Sequence, residues 1–567
     1  MVVLGISETH CATAAVLRDG AIVGCASEER FSRLKNDAGY PRLAIDALLR
    51  DLALSPSAID RVVLAGTRIP SYDWMNRVMR DAAYTREYYA VRLDAPRRGL
   101  TGRARKLGAK LGLLDPAPGK APLPEGARRA AVTTHLGIDA DRVSFVDHHT
   151  CHAAAAYFGS PFAGAPALVL TNDNSGDGLC ATASRGRGVT LERSEATPSG
   201  PGSLGSFYTL VTLLLGMKPR AAAALRVVFD FADGRPCRFE WRKRGPLYRA
   251  LLEATLGLRF DWVAGGAQRI LEESLLAWAR RMRERYGGER LALGGGVFMN
   301  VKANMLLADE PWASDLFVFP SCGDESNAVG AAYLGYLERC ARQELSAAPR
   351  PFGPAYLGPG IDDGEVETVV RRRDLAARHR VSEPPRMEER IAELLASDGV
   401  VARCAGRMEF GARALGNRSI LANPSDHRVV PLINRMIKNR DFWMPFAPSV
   451  LREREADYLV NPKGLASPYM MLAFPTNPKR RDEIIAAIHP HDGTARAHIV
   501  DEAWNPPYYR VLREFEARTG IGAVLNTSFN LHGEPLVCSP EDAVDTFERS
   551  GLPHLALGRY LISKRTP

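Results

Sequence analysis

Paired cysteines, long apolar runs and histidines are all scarce in this chain, and the first two absences each exclude something. Nine cysteines lie scattered between Cys11 and Cys538, and no two of them stand in a CxxC spacing. That excludes a zinc knuckle and argues against a disulfide framework; reduced thiols in a cytoplasmic compartment fit better. No apolar run approaches the roughly 20 residues needed to cross a bilayer. The opening stretch MVVLGISETHC has no basic region ahead of a long apolar block, so it reads as the first strand of a fold, not as a secretory signal. No internal repeat is visible. Histidine numbers only 12 in 567 residues, which makes any crowding of it informative.

What is present is ordinary soluble-protein composition, with 46% hydrophobic and 25% charged residues. A chain of 567 residues exceeds what one core supports, so at least two domains are expected. The net charge of +9 raises the question of nucleic acid, but much of the excess lies in PRRGLTGRARKLGAKLGLLDPAPGK, residues 96–120. With its glycines and prolines, that segment reads as an inserted, solvated surface element. Apolar runs lie at 2–6 and 14–24, and the Asp19-Gly20 turn between Leu17 and Ala21 in the second is a hairpin signal. Further strands are predicted at 61–66, 142–147, 167–173, 291–295 and 315–320, with a long helical pattern at 266–287. This alternation predicts an α/β domain over residues 1–350. The Pro- and Gly-rich stretch SAAPRPFGPAYLGPG marks a boundary, and strands such as GVVARC and GAVLNTSF place a second α/β domain at 351–567.

The crowding of histidine occurs in VDHHTCHA, residues 146–153. On a helix, His148 and His152 share one face one turn apart. Such a pair can hold a metal ion, or can be two buried imidazoles satisfied by hydrogen bonds. Three acid- or glycine-bearing turns follow apolar strands: LTNDNSGDG, LGGGVFMN and PSCGDESNAVGAA. Ligand sites in α/β folds gather at such strand ends. Asp173 and Asp324 can add carboxylates to the histidine pair, a set suited to iron, manganese or zinc more than to magnesium or calcium. Gly294, Gly295 and Gly296 would let backbone amides approach a phosphate.

In the second half, GRMEFGARALGNRSILANP and INRMIKNRDFWMPFAPSVL gather Arg407, Arg413, Arg418, Lys438 and Arg440 among glycines and small residues. Cations clustered in turns suit a small polyanion, with surface salt bridges as the plainer alternative. DGTAR and NTSFN add Arg496 and the amide and hydroxyl groups of Asn526, Ser528 and Asn530. The aromatic residues do not form a stacking platform among these cations, so nucleic acid is disfavoured.

Taken together, GIS..H..TAAVLRDGAIV.CASEERFSR.K, DHH..HA, GDG, GGGVFMN, CGDESNAVGAA, GRMEFG.RALGNRSILA.P, PFAPSVL, DGTAR and NTSFN..GEP resemble the O-carbamoyltransferases of the NodU/CmcH/TobZ type, which act in nodulation, cephem and aminoglycoside chemistry. The resemblance spans nearly the whole chain. It implies an N-terminal domain of the actin/Hsp70-like class, similar to the threonylcarbamoyl-transfer proteins of tRNA modification, and a YrdC-like C-terminal domain. It implies metal ligation by His148, His152, Asp173 and Asp324, iron foremost, and His10 as the base near the acceptor hydroxyl. It implies ATP as co-substrate, with or without Mg, near Gly294–Gly296 and Asn300. Carbamoyl phosphate and the nucleotide phosphates would fall to Arg407, Arg413, Lys438, Arg440, Arg496, Asn526, Ser528 and Asn530. The product would be a carbamoylated hydroxyl of a specialised metabolite, as in antibiotic biosynthesis, formed by a cytoplasmic protein with no membrane partner; a homodimer is compatible.

Three departures stand against the family pattern. Met444 occupies the arginine position before PFAP, Pro490 a histidine position, and RAAAALRVVFDF follows GMKP where an EGKVMGLA-like motif is usual. Losing a desolvated anion contact costs roughly 1–3 kcal/mol. These departures keep two alternatives open: a divergent member using another acyl donor or forming an amide, and a tRNA-modifying carbamoyl-transfer protein.

Overall fold

The computed structural model describes residues 1–80, 122–199, 203–214, 251, 253–438 and 444–565. The basic segment 96–120, the stretch after GMKP and Arg440 lie outside them. The chain divides into two compact units. One comprises Met1–Ile22, Asn36–Pro41 and Ser55–Pro351; the other comprises Val23–Lys35, Arg42–Leu54 and Phe352–Pro567. The change-over at Pro351 adjoins the Pro/Gly-rich stretch read from sequence. The two early excursions into the second unit carry a short helix α1 (Glu29–Ser32) and α2 (Arg42–Asp51), and no local pattern announced them.

In the first unit, β1 (Val2–Ser7), β2 (Thr13–Arg18), β4 (Arg61–Ala65) and β5 (Val143–Val146) lie in one sheet in the order β2-β1-β4-β5, while β3 (Ala21–Ser27) starts in this unit and belongs to the second from Val23 on. Asp19 (φ 49) and Gly20 (φ 82) both take the left-handed conformation that the predicted two-residue hairpin demands. A second sheet contains β6 (Gly164–Gly176), β7 (Leu179–Gly188), β8 (Thr190–Pro198), β9 (Arg290–Gly294) and β10 (Asp315–Val318), ordered β10-β9-β6-β7-β8. Strands β7 and β8 were not anticipated. The first is built of small and basic residues, and β8 has no buried position to impose an alternation.

Helices α3 (His148–Phe158), α4 (Phe260–Tyr286), α5 (Val301–Asp309) and α6 (Ser326–Arg342) pack around these sheets. Small residues let α6 approach closely. A Cβ on Gly330 would stand 1.8 Å from the Cys151 carbonyl oxygen on α3, and one on Gly5 would stand 1.9 Å from that of Ala328.

The second unit is built on β11 (His379–Ser382), β12 (Val401–Cys404), β13 (Arg418–Ala422), β14 (Ala447–Leu451), β17 (His498–Val500), β18 (Ala523–Ser528), β19 (His554–Leu557) and β20 (Tyr560–Lys564); β15 (Phe474–Pro475) and β16 (Thr494–Ala495) pair separately. The eight strands run in the order β11-β20-β19-β12-β13-β18-β14-β17. Helices α7 (Asp363–Arg372), α8 (Met387–Ala396), α9 (Pro506–Thr519) and α10 (Pro540–Arg549) divide between its faces. Val401, Leu421 and Val524 share a core with α8 and α9, while Ala402, Ile420 and Leu525 share the other with α7 and α10. A sheet buried on both faces explains why its central strands read as continuous apolar runs. Among the described residues no helix is long and apolar enough to cross a membrane.

Within the α8–α9 core lies His498, with Nδ1 at 3.2 Å from Ser449 Oγ and its ring stacked on Tyr508. Burial lowers this imidazole from 6.5 to about 3. Between those values the unfolded chain takes up a proton that the folded chain refuses. Its stabilising contribution is therefore complete above pH 6.5 and erodes by up to about 1.4 kcal/mol per pH unit below it. Denaturant midpoints of the parent and His498→Asn proteins from pH 7 to pH 4 should show a shallower acid decline in the variant; parallel curves would refute this.

Candidate functional site

The first cluster is assembled from three elements. Asp147 caps α3, accepting from Thr150 N at 2.9 Å, so that His148 and His152 occupy successive turns of one face. Asp173 lies near the end of β6, and Asp324 just ahead of α6. The close crossing of α6 over α3 brings the four together, all buried, with one donor atom from each within 4.8 Å of every other. His148 Nε2 lies 3.2 Å from Asp173 Oδ2 and 3.5 Å from Asp324 Oδ1, and His152 Nε2 lies 3.4 and 3.7 Å from the same atoms. The two Nε2 atoms are 3.1 Å apart.

These separations test the fit to an ion. Ligands about 2.1 Å from a common metal stand about 3.0 Å apart at right angles and about 3.4 Å apart at tetrahedral angles. The second Asp324 oxygen, Oδ2, is engaged by His10 Nδ1 at 3.1 Å, whereas Oδ1, facing the imidazoles, is buried without a hydrogen-bond partner. The Nδ1 atoms of the two rings are held from behind, His152 by Ser326 Oγ at 3.1 Å and His148 by the Asn327 amide at 3.3 Å. Each ring therefore directs Nε2 toward the carboxylates, as metal-bound histidines do. The donor set fits a divalent transition ion.

The electrostatics agree. Burial opposes a charge on His152, but Asp173 and Asp324 outweigh it and raise the ring from 6.5 to about 9. Against both burial and their mutual repulsion, the imidazoles hold the two carboxyls below the usual carboxylate range. His10 behaves likewise: burial lowers it, Asp324 outweighs burial, and the ring rises to about 9. A pocket with such affinity for protons is one that favours a cation.

Several residues that hold this cluster were not read from the sequence. Asp177, in the GDG turn, accepts from His148 N at 2.8 Å and from Thr67 N and Arg68 N at 2.9 and 2.6 Å. It thereby ties the start of α3 to the loop after β4. A Cβ on Gly176 would meet the His148 ring at 2.1 Å. The turn bearing His10 is anchored by buried Glu8, which receives Arg128 Nε and the Tyr72 hydroxyl, each at 2.6 Å. Only the GDG motif signalled any of these in advance.

The glycine run also answers to packing. A Cβ would come to 2.7 Å from the His152 carbonyl oxygen at Gly294, 2.4 Å from that of Asn172 at Gly295 and 3.0 Å from Asp173 Oδ1 at Gly296. Asn300 caps α5 through Ala303 N at 3.1 Å and pairs with the Gln268 amide.

In the second unit, buried Lys438 ends a π-helical turn and donates to Asn530 Oδ1 at 2.8 Å and Ser528 Oγ at 3.1 Å. Asn526 donates to the Ala414 carbonyl and to Ser449 Oγ, each at 3.0 Å, while its own Oδ1 is buried without a partner. Half-buried Arg413 adjoins Ala414, and half-buried Arg496 lies between β16 and β17. Arg407 and Arg418 are engaged by groups of the protein itself. Arg407 pairs with Asp51 at 2.8 Å and donates to the Tyr356 and Leu357 carbonyls. Fully buried Arg418 is ringed by the carbonyls of Ala405, Gly406, Asn417 and Cys538. Met444 is 43% exposed.

Metal analysis after loading with Fe(II), Mn(II) or Zn(II) should find the ion in the parent and little of it in His148→Ala or Asp324→Asn. Gly176→Ala retains all four ligands yet drives a methyl into the His148 ring; overpacking of this kind costs about 1–3 kcal/mol. It should lower metal content too, and equal content in parent and all variants would reject the site.

The chain matches the family description "Carbamoyltransferase N-terminus" over residues 2–224 and 252–333, and "Carbamoyltransferase C-terminus" over 392–564. It is 30% identical to nodulation protein NolNO of Sinorhizobium fredii, over 98% of this chain and 79% of that protein. It is also 30% identical to an uncharacterised Synechocystis protein, sll1178, over 99% of this chain and 96% of that one. A nodulation protein U of Rhizobium tropici is 30% identical over 51% of this chain and 46% of its own length. With matches to both halves of the family, the chain belongs to the carbamoyltransferases.

Proposed function

We propose that the protein is an ATP-dependent O-carbamoyltransferase of the cytoplasm. Residues 351–567 would hydrolyse carbamoyl phosphate with one water to carbamate and phosphate, and the carbamate oxygen would then attack the α-phosphorus of ATP, giving carbamoyl adenylate and releasing pyrophosphate; residues 1–350 would move the carbamoyl group to a hydroxyl of a small specialised metabolite, with AMP leaving. The observation that carries this reading is the convergence of His148, His152, Asp173 and Asp324 beside His10. A divalent transition ion held by those four residues, with iron the first to test, would supply Lewis-acid polarisation of the carbamoyl oxygen.

The chain's own residues supply the remainder. His10 is 41% exposed at its side chain, so an acceptor can reach it, and Asp324 engages its Nδ1 at 3.1 Å. Nε2 is then the nitrogen that takes the hydroxyl proton. A cation held beside Asp324 would weaken that carboxylate's hold on a proton at His10, leaving the imidazole neutral to act as the base. In the second unit, Arg413, Lys438, Arg440 and Arg496 are assigned to the phosphates, with Asn526, Ser528 and Asn530 lining the same pocket. The buried Asn526 Oδ1 is an acceptor awaiting a donor, and the carbamoyl NH2 group is one. Gly294–Gly296 and Asn300 are assigned to the nucleotide, and Arg407 to a support of the phosphate loop.

The test uses the whole chain with ATP and carbamoyl phosphate. Pyrophosphate release should depend on carbamoyl phosphate, and carbamoyl adenylate should be trapped when no acceptor is supplied. Release driven by a different acid, with none from carbamoyl phosphate, would overturn the reading. In His10→Asn, carbamoylation of an accepted alcohol should fall about 10²–10⁴-fold, while adenylate formation continues.

A further inference from the structure

The EERFSR stretch belongs, by sequence position, to the amino-terminal half, yet α1 folds as part of the second unit. Its two arginines are directed at loops of that unit. Arg30, 4% exposed, donates from Nη2 to the Gly411 carbonyl at 2.6 Å, and its charge is balanced by Glu29 at 3.9 Å. Arg33 donates to the Leu536 and Pro535 carbonyls at 2.7 and 3.0 Å and lies 3.5 Å from Asp542.

The loop that Arg30 reaches, Arg407–Asn417, is held at both ends by independent ionic contacts. Asp51 of α2 pairs with Arg407 at its start. At its far end, Glu409 Oε1 accepts from Leu415 N, Asn417 N and Arg418 N at 2.8, 2.7 and 3.1 Å. Buried Arg403 takes the Gly416 carbonyl and Asn417 Oδ1, each at 2.8 Å. Between these anchors the segment Gly411–Ala414 is restrained by Arg30 on the Gly411 carbonyl and by Asn526 on the Ala414 carbonyl. Gly411 adopts φ +94, so its carbonyl is turned by a backbone state that only glycine takes easily. Arg413 stands between the two restraints.

We propose that Arg30 is a positioning residue for the anion site, fixing the Gly411 carbonyl so that Arg413, two residues on, is presented to the phosphate of carbamoyl phosphate. This inference rests on the assignment of Arg413 to that phosphate. A planar, bifurcated guanidinium suits the task, because it can hold a carbonyl and a neighbouring carboxylate in one fixed geometry. Arg30→Lys keeps the charge but lacks that fork.

The experiment compares the full-length parent with Arg30→Met, Arg30→Lys, Arg413→Ala and the double variant Arg30→Met/Arg413→Ala. The readouts are the KM for carbamoyl phosphate and the kcat in pyrophosphate release, and the Kd of inorganic phosphate. A misplacement of about 1 Å can cost about a hundredfold, and the loss should appear mainly in KM and Kd, with Arg30→Lys recovering part of it. Because Arg30 is argued to act through Arg413, the double variant should bind no more weakly than Arg413→Ala alone. Losses that multiply would overturn the proposal. Should Arg30→Met fail to fold, Arg30→Lys combined with Arg413→Ala gives the same comparison. If Arg413→Ala binds phosphate like the parent, the assignment of the site itself falls, an outcome separate from failure of the Arg30 coupling.

Discussion

The approach of Ser326–Arg342 to His148–Phe158 is the constraint on which the first unit's site depends. Gly330 lets one helix backbone rest against the Cys151 carbonyl, and Gly5 lets the same helix lie on the first strand. Only at that distance do Ser326 and Asn327 reach the rear of the two imidazoles while Asp324 reaches their front. Two carboxylates in a buried space repel one another and are poorly solvated, so the arrangement is stable only with positive charge between them. Protons on the histidines can supply that charge, and so can a metal ion. The favourable geometry and the electrostatic demand have a single origin, the tight helix crossing.

The second unit solves the converse problem. Arg403, Arg418 and Lys438 are buried, and their donors meet carbonyl, amide and hydroxyl oxygens. Neutral acceptors satisfy much of the hydrogen bonding of these cations, and the buried Glu409 carboxylate adds opposite charge near Arg403. Glu409 belongs to the same design, since one of its oxygens gathers three backbone amides and fixes the turn. A guanidinium carried on a turn held in this way would, in the role proposed for Arg413, meet a phosphate with little loss of entropy.

Much of this was legible before folding. The Asp19-Gly20 hairpin, the strands ending in Asp173 and Gly294 and the small-residue helix after Asp324 all announce themselves through local pattern, because backbone conformation and alternation are local properties. The histidine pair was legible for the same reason, its i, i+4 spacing being a property of one helix. Strands β7 and β8 were not: β7 is built of small and basic residues, and β8, at the sheet edge, has no buried position to impose an apolar period. The role of Gly176 was not either, because the atom that forbids a side chain there belongs to His148, far away in sequence. Arg407 and Arg418 look like anion ligands in the motif, yet the structure turns one to Asp51 and the other to a ring of carbonyls.

By itself, then, the amino-acid sequence determined the α/β class, the family and the chemical types of the candidate residues. Tertiary structure alone decided that Arg407 pairs with Asp51 and Arg418 with carbonyls, which glycines are obligatory, and that Glu29–Ser32 and Arg42–Asp51 fold with the second unit. The physical reason is range: propensity and periodicity act over a few residues, whereas charge compensation and close packing are settled by whichever distant atoms the fold brings within a few ångströms.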